Sequence, residues 1–141
     1  MIVCLEDIDF RFIYWNHFAF NDELPTPQYG ILHSFRTCGY FQCNCIDSWF
    51  RRNLYNFSIS ITDYYDFTME QFDDILVHEM IHYYLAYTGL DKRIRHGKEF
   101  KKMARKLNLN HGLNITSTVD LSIYKRREGT SKFQYWLATL F

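Results

Sequence analysis

His78-Glu79-Met80-Ile81-His82 forms an H-E-x-x-H pattern within a segment whose apolar residues recur at helical spacing. Residues four apart on a helix stand one turn apart on the same face. His78 and His82 are therefore placed to offer two imidazoles to one ion, and neutral imidazoles suit Zn²⁺. Glu79 projects from the edge of that face, within reach of a water on the metal, where a carboxylate can act as general base. Random placement of the chain's six His and six Glu among 141 residues gives such a pattern in roughly one chain in a hundred. The surrounding residues must therefore decide between a metal site and a buried helix with two hydrogen-bonded core histidines.

Those residues favour the metal. Phe72, Ile75, Leu76, Glu79, His82, Tyr83 and Ala86 fall at helical intervals. Thr68 followed by Gln71 is a capping-box start, and Gly89 is a helix-ending signal. A helix is expected from about Met69 to Thr88. His78, Glu79 and His82 then lie on or beside its apolar face, where buried polar groups need partners and a metal supplies one.

A catalytic zinc usually keeps three protein ligands and one open position. The extended H-E-x-x-H-x-x-G-x-x-H arrangement does not apply, because Leu85 stands at the Gly position and Thr88 at the His position. Downstream candidates are His96, Glu99 and, more weakly, His111. His96 is favoured. Gly89-Leu90-Asp91 lets the chain turn, and His96-Gly97 opens a second helix marked by Phe100, Met103, Ala104 and Leu107. A His at the mouth of that helix can reach back to the first, and Gly97 leaves room for close backbone approach. Glu99 points elsewhere on this helix, where it suits the helix N-terminus.

The elements that must hold these residues read as follows. Glu6 to about Phe20 is a helix, left through a loop over 21–27. Gln28–Arg36 and Tyr40–Ile46 read as strands around Thr37-Cys38-Gly39, a hairpin signal. Asn56–Thr62 reads as a further strand, with Phe57, Ile59 and Ile61 alternating. The two metal-bearing helices follow. Beyond Asn114 the signal weakens, and Lys132–Leu140 reads as a final strand or helix. The expectation is a small α+β domain: an N-terminal helix, a short antiparallel or mixed sheet, the H-E-x-x-H helix and a following basic helix.

His78-Glu79-x-x-His82, then His96-Gly97-x-x-Phe100, then Leu107-Asn108 resemble the SprT-like (Spartan-type) metalloprotease domain. Asn16 with Phe18 to Phe20, then Leu24-Pro25, is similar to that family's opening helix and its exit, and Ile59-Ser60-Ile61 to its last strand. The resemblance covers residues from about 8 to 110 and is most specific over 78–108. It implies a zincin-like fold, with His78, His82 and His96 as zinc ligands and Glu79 as the catalytic residue. It also implies proteins bound or crosslinked to DNA as substrates, the setting of DNA–protein crosslink repair. Bacterial members commonly carry a Cys-rich, zinc-ribbon-like tail. Residues 109 to 141 here contain no Cys, which leaves the role of the 111–141 tail open.

Length and composition set outer bounds. A chain of 141 residues is expected to be one domain, and 48% hydrophobic with 19% aromatic residues is ample for a packed core. Most of the aromatic clusters are expected in that core. No apolar run is long enough to span a membrane. Glu6, Asp7 and Asp9 stand where a signal peptide needs basic and apolar residues, so a cytoplasmic location is expected. Cys4, Cys38, Cys43 and Cys45 lack the paired spacing of a structural zinc site and are expected as reduced thiols.

The net charge is zero but divided. Residues 1–90 hold four Lys/Arg against twelve Asp/Glu, and residues 91–141 hold twelve against four. Lys98, Lys101, Lys102 and Arg105 fall roughly opposite the apolar face of the second helix, and Lys125-Arg126-Arg127 adds another cluster. Two readings follow: contacts to single-stranded DNA phosphates, or an ordinary solvated face. The functional expectation is zinc-dependent hydrolysis of a protein or peptide, with one Zn²⁺ per chain and Glu79 as base. Its rival is a non-catalytic, zinc-stabilised module that binds nucleic acid or protein. An intact Glu79 argues against the rival, because ligation alone does not require it.

Overall fold

In the computed structural model, which describes residues 1–47 and 52–128, the chain enters helix α1 (Leu5–Phe20) directly after Cys4. Asp7 accepts the Cys4 backbone N–H at 2.9 Å, satisfying a donor that a first helical turn leaves without a partner. Ile8, Phe12 and Trp15 recur at helical spacing and are buried. Asn21 ends the helix in the left-handed region (φ 53), which asparagine tolerates better than most residues.

Three strands follow: β1 (Gln28–Leu32), β2 (Gly39–Asp47) and β3 (Arg52–Thr62). The expected hairpin between the first two does not form. β3 lies between them, parallel to β1 and antiparallel to β2, so the sheet is mixed, in the order β1-β3-β2. The six-residue connection over 33–38 makes this possible, because it spans two strand spacings, about 9–10 Å. The end of β3 holds both sides of that connection. Asp63 N–H bonds the Leu32 carbonyl at 3.0 Å, and Thr62 N–H bonds the Cys38 carbonyl at 2.8 Å. Ile59 and Ile61, two apart and so on one face of the middle strand, are fully buried.

After the short strand β4 (Tyr65–Asp66), helix α2 runs Met69–Thr88. Both ends follow from local chemistry. Thr68 Oγ accepts the Gln71 N–H at 3.1 Å, and Gln71 Oε1 accepts the Thr68 N–H at 3.0 Å. Gly89, at φ +78, closes the helix in a conformation that a Cβ would strain. Twelve of the twenty α2 residues are buried, which makes it the central element of the core. Tyr83 packs against Phe57 (4.9 Å between centroids), Phe41 (5.7 Å) and Phe12 (6.4 Å), joining helix, sheet and α1. Its hydroxyl donates to the Pro25 carbonyl at 2.8 Å. Arg11 forks onto Asp73 at 2.9 and 2.7 Å and fixes α1 against α2.

Helix α3 (Lys98–His111) starts at Gly97 and buries Phe100, Ala104 and Leu107. Beyond it the chain returns across α2. Asn114 N–H bonds Asp74 at 2.9 Å, and the Tyr124 ring packs 5.1 Å from Phe67. Strand β5 (Lys125–Arg126) then pairs with β4. The expected element at Lys132–Leu140 lies outside the described residues. Among the described residues no helix is long and apolar enough to cross a membrane.

Candidate metal centre

α2 presents His78 and His82 one turn apart, with ring centroids 5.1 Å from each other. The link between α2 and α3 brings in His96. That link is held by Asp91, whose backbone N–H bonds the Leu85 carbonyl at 3.2 Å. Its carboxylate takes the Arg93 N–H and the Arg95 guanidinium at 3.0 and 3.1 Å. His96 Nε2 then lies 3.0 Å from His78 Nε2 and 3.2 Å from His82 Nε2. Three nitrogens at about 2.0–2.1 Å from a tetrahedral zinc stand roughly 3.3 Å apart, so the spacing fits one such ion. Among the described residues this trio is the cluster of potential ligands. Glu99 instead lines a cleft with Asp91 and Arg95, and His111 meets the edge of Trp15 at 5.7 Å.

Phe100, fully buried, forms the floor. Its ring centroid lies 4.8, 4.7 and 4.8 Å from those of His78, His82 and His96. An apolar floor holds the rings in place and disfavours charge on them. Burial, with His96 nearby, pulls the His78 pKa down to about 4. Burial and the two neighbouring histidines pull His82 down to about 3, and burial also lowers His96. At neutral pH all three are therefore in the uncharged form that binds a metal. His78 Nδ1 lies 2.9 Å from the Thr116 carbonyl oxygen. A carbonyl only accepts, so Nδ1 carries the proton and Nε2 keeps its lone pair for the centre.

Glu79 sits at the edge of the trio, its Oε1 4.0 Å from His78 Nε2. Burial raises its pKa to about 8, against the opposing effect of a hydrogen bond from the Phe41 backbone N–H. That donor belongs to β2, one of the two edge strands of the sheet. A cavity of about 350 Å³ opens over the histidines and Glu79, walled by residues of β2 and by Asn114, Thr116 and Tyr124.

Sequence reasoning missed three participants. Gly39 reads as a turn glycine, but it serves as a close-approach glycine against Ile75 and Glu79. The Phe41 N–H and the Thr116 carbonyl leave no sequence signal, since nearly every residue type carries those groups. Lys98, Lys101, Lys102 and Arg105 are all exposed on α3. Lys98 also borders the cleft that holds Arg52, Arg93 and Arg95. The four cysteines are free thiols, and only Cys38 is buried.

Residues 10–119, 110 of the chain's 141, match the model of the SprT-like family. Searches against curated proteins and against solved structures return no significant match.

Proposed function

This chain belongs to the SprT-like family, a family of zinc metalloprotease-type domains, and from that premise we propose that it hydrolyses peptide bonds. In this reading His78, His82 and His96 hold one zinc and Glu79 is the general base. The observation that carries the reading is three uncharged imidazoles converging through Nε2 beside a buried carboxylate, at the wall of an open cavity.

Zinc, when bound, supplies Lewis acidity that polarises the scissile carbonyl and acidifies a water. Glu79 takes the water's proton and passes it to the leaving amine nitrogen. Its burial serves that exchange, because a pKa raised to about 8 keeps the proton within easy reach of both forms near neutrality. The Phe41 backbone N–H favours the charged carboxylate. Because β2 is an edge strand beside Glu79, an extended substrate can add along it by backbone pairing. The proposal extends to DNA-bound or DNA-crosslinked proteins as substrates, supported by the family resemblance and by the exposed Lys98, Lys101, Lys102 and Arg105 on α3.

The test measures zinc content and proteolysis together, on unfolded and DNA-bound proteins, with and without single-stranded DNA. Wild type should hold about one zinc and cleave. Glu79→Gln should keep zinc and fold while losing roughly 10²–10⁴-fold in rate. Undiminished cleavage by that variant sinks the mechanism. A zinc-loaded wild type that cleaves nothing favours the non-catalytic binding module instead.

A further inference from the structure

The strap that follows α3 is anchored on consecutive residues, and the anchors end at the metal centre. Asp74, one turn before His78 on α2, accepts the Asn114 N–H at 2.9 Å. Asn108, in the last turns of α3, grips the next residue at two points. Its Oδ1 accepts the Ile115 N–H at 2.8 Å, and its Nδ2 donates to the Ile115 carbonyl at 3.0 Å. The Ile115 side chain is buried. The residue after it supplies the carbonyl that takes the His78 Nδ1 proton at 2.9 Å.

We propose that Asn108 is a positioning residue for the metal centre: its two-point clamp on Ile115 places the Thr116 carbonyl, and that carbonyl selects the His78 tautomer whose Nε2 faces His82 and His96. The proposal rests on the zinc reading above for its consequence, but the tautomer itself is a property of the chain. Either nitrogen of a neutral imidazole can carry the proton. Only the Nδ1–H form leaves Nε2 free to ligate. An amide is the side chain suited to the clamp, because it presents a donor and an acceptor side by side. Aspartate keeps the acceptor, loses the donor and sets a charge against the Ile115 carbonyl.

The fold contains its own control. Asn16 of α1 clamps Leu24 in the same way, with Nδ2 2.8 Å from the Leu24 carbonyl and the Leu24 N–H 3.2 Å from Oδ1. Leu24 is likewise buried. Among the described residues no hydrogen bond joins Asn16 or Leu24 to the three histidines. A purely structural clamp should therefore behave alike at both positions.

The experiment compares full-length wild type, Asn108→Ala, Asn108→Asp and Asn16→Ala. Zinc affinity is read by chelator competition, and the His78 tautomer by ring ¹⁵N NMR on the chain before zinc is added. Asn108→Ala should bind zinc about ten- to a hundredfold more weakly, the range for loss of an outer-shell partner. Its His78 should leave the Nδ1–H form. Asn16→Ala should lower the melting temperature yet hold zinc within about twofold of wild type, with the tautomer unchanged. Asn108→Asp stands in if the alanine variant does not fold. Equal zinc affinity in the Asn108 and Asn16 variants, or an unchanged His78 tautomer, overturns the proposal. So does failure of both Asn108 variants to fold, because the residue is then structural in the sense that Asn16 is. A wild type that binds no zinc refutes the metal reading alone, since the tautomer measurement still decides the role of Asn108.

Discussion

A Cβ on Gly39 would stand 3.0 Å from both Cγ and Oε1 of Glu79, and 2.9 Å from Cγ2 of Ile75. The opening of β2 therefore lies in contact with the catalytic candidate, with no space for the smallest side chain. Gly39→Ala should push the carboxylate aside while leaving the three histidines in place. Zinc content should match wild type, and hydrolysis should fall by about ten- to a hundredfold, as misplacements near 1 Å do. Wild-type turnover in a folded Gly39→Ala protein would show that the position of Glu79 is not critical.

His96 is the proposed ligand whose place depends most on the link between helices. His96→Ala should lower zinc content as much as His82→Ala does. Glu99→Ala should leave it unchanged, because Glu99 lines a separate cleft. Elemental analysis after dialysis against a weak chelator reads this directly. Normal zinc in His96→Ala together with loss in Glu99→Ala reverses the assignment.

Metal-free protein should be most stable near pH 6.5. The folded pKa values of His78 and His82 lie at about 4 and about 3, below the unfolded value near 6.5. Below pH 6.5 the unfolded chain binds more protons at these sites, so stability falls with pH down toward the folded values. Glu79 has the opposite sign: its folded pKa, about 8, lies above its unfolded value. Its contribution is fully present below about pH 4.5 and is lost as pH rises through 8. Between 4.5 and 6.5 the two histidines outweigh the one carboxyl; between 6.5 and 8 the carboxyl prevails. Melting temperatures measured in chelator across pH 4–9 check this. In Glu79→Gln the alkaline decline should shrink, and its persistence at full size would assign it to other groups.

The exposed side chains of α3 carry the expectation about nucleic acid. Changing Lys98, Lys102 and Arg105 together to Gln should weaken single-stranded DNA binding. It should also reduce the slope of log affinity against log salt by about two, since each phosphate contact releases counterions. Different base sequences should be affected alike, and zinc content not at all. Equal affinities and slopes for wild type and variant across a salt series would leave this face merely solvated.

α2 was legible to the residue because everything that bounds it is local. The Thr68–Gln71 capping box, the apolar period and Gly89 all act within a few positions of the helix they define. The same period placed His78 and His82 together, since two residues four apart on a helix have no other choice. The order of the strands was not local. Thr37-Cys38-Gly39 has the composition of a tight turn, yet β3 enters between β1 and β2, and that pairing depends on distant segments covering Ile59 and Ile61. His96 lies fourteen positions from His82, and the Asp91-held link and the packing of Phe100 beneath all three rings close the trio. Residue order alone carries the chemical kinds present: two imidazoles and a carboxylate on one helix, a third imidazole and a basic face on the next. The raised pKa of Glu79, the reason for Gly39 and the tautomer of His78 come from the folded packing. These rest on burial, on free space and on backbone groups common to nearly every residue, none of which a linear pattern records.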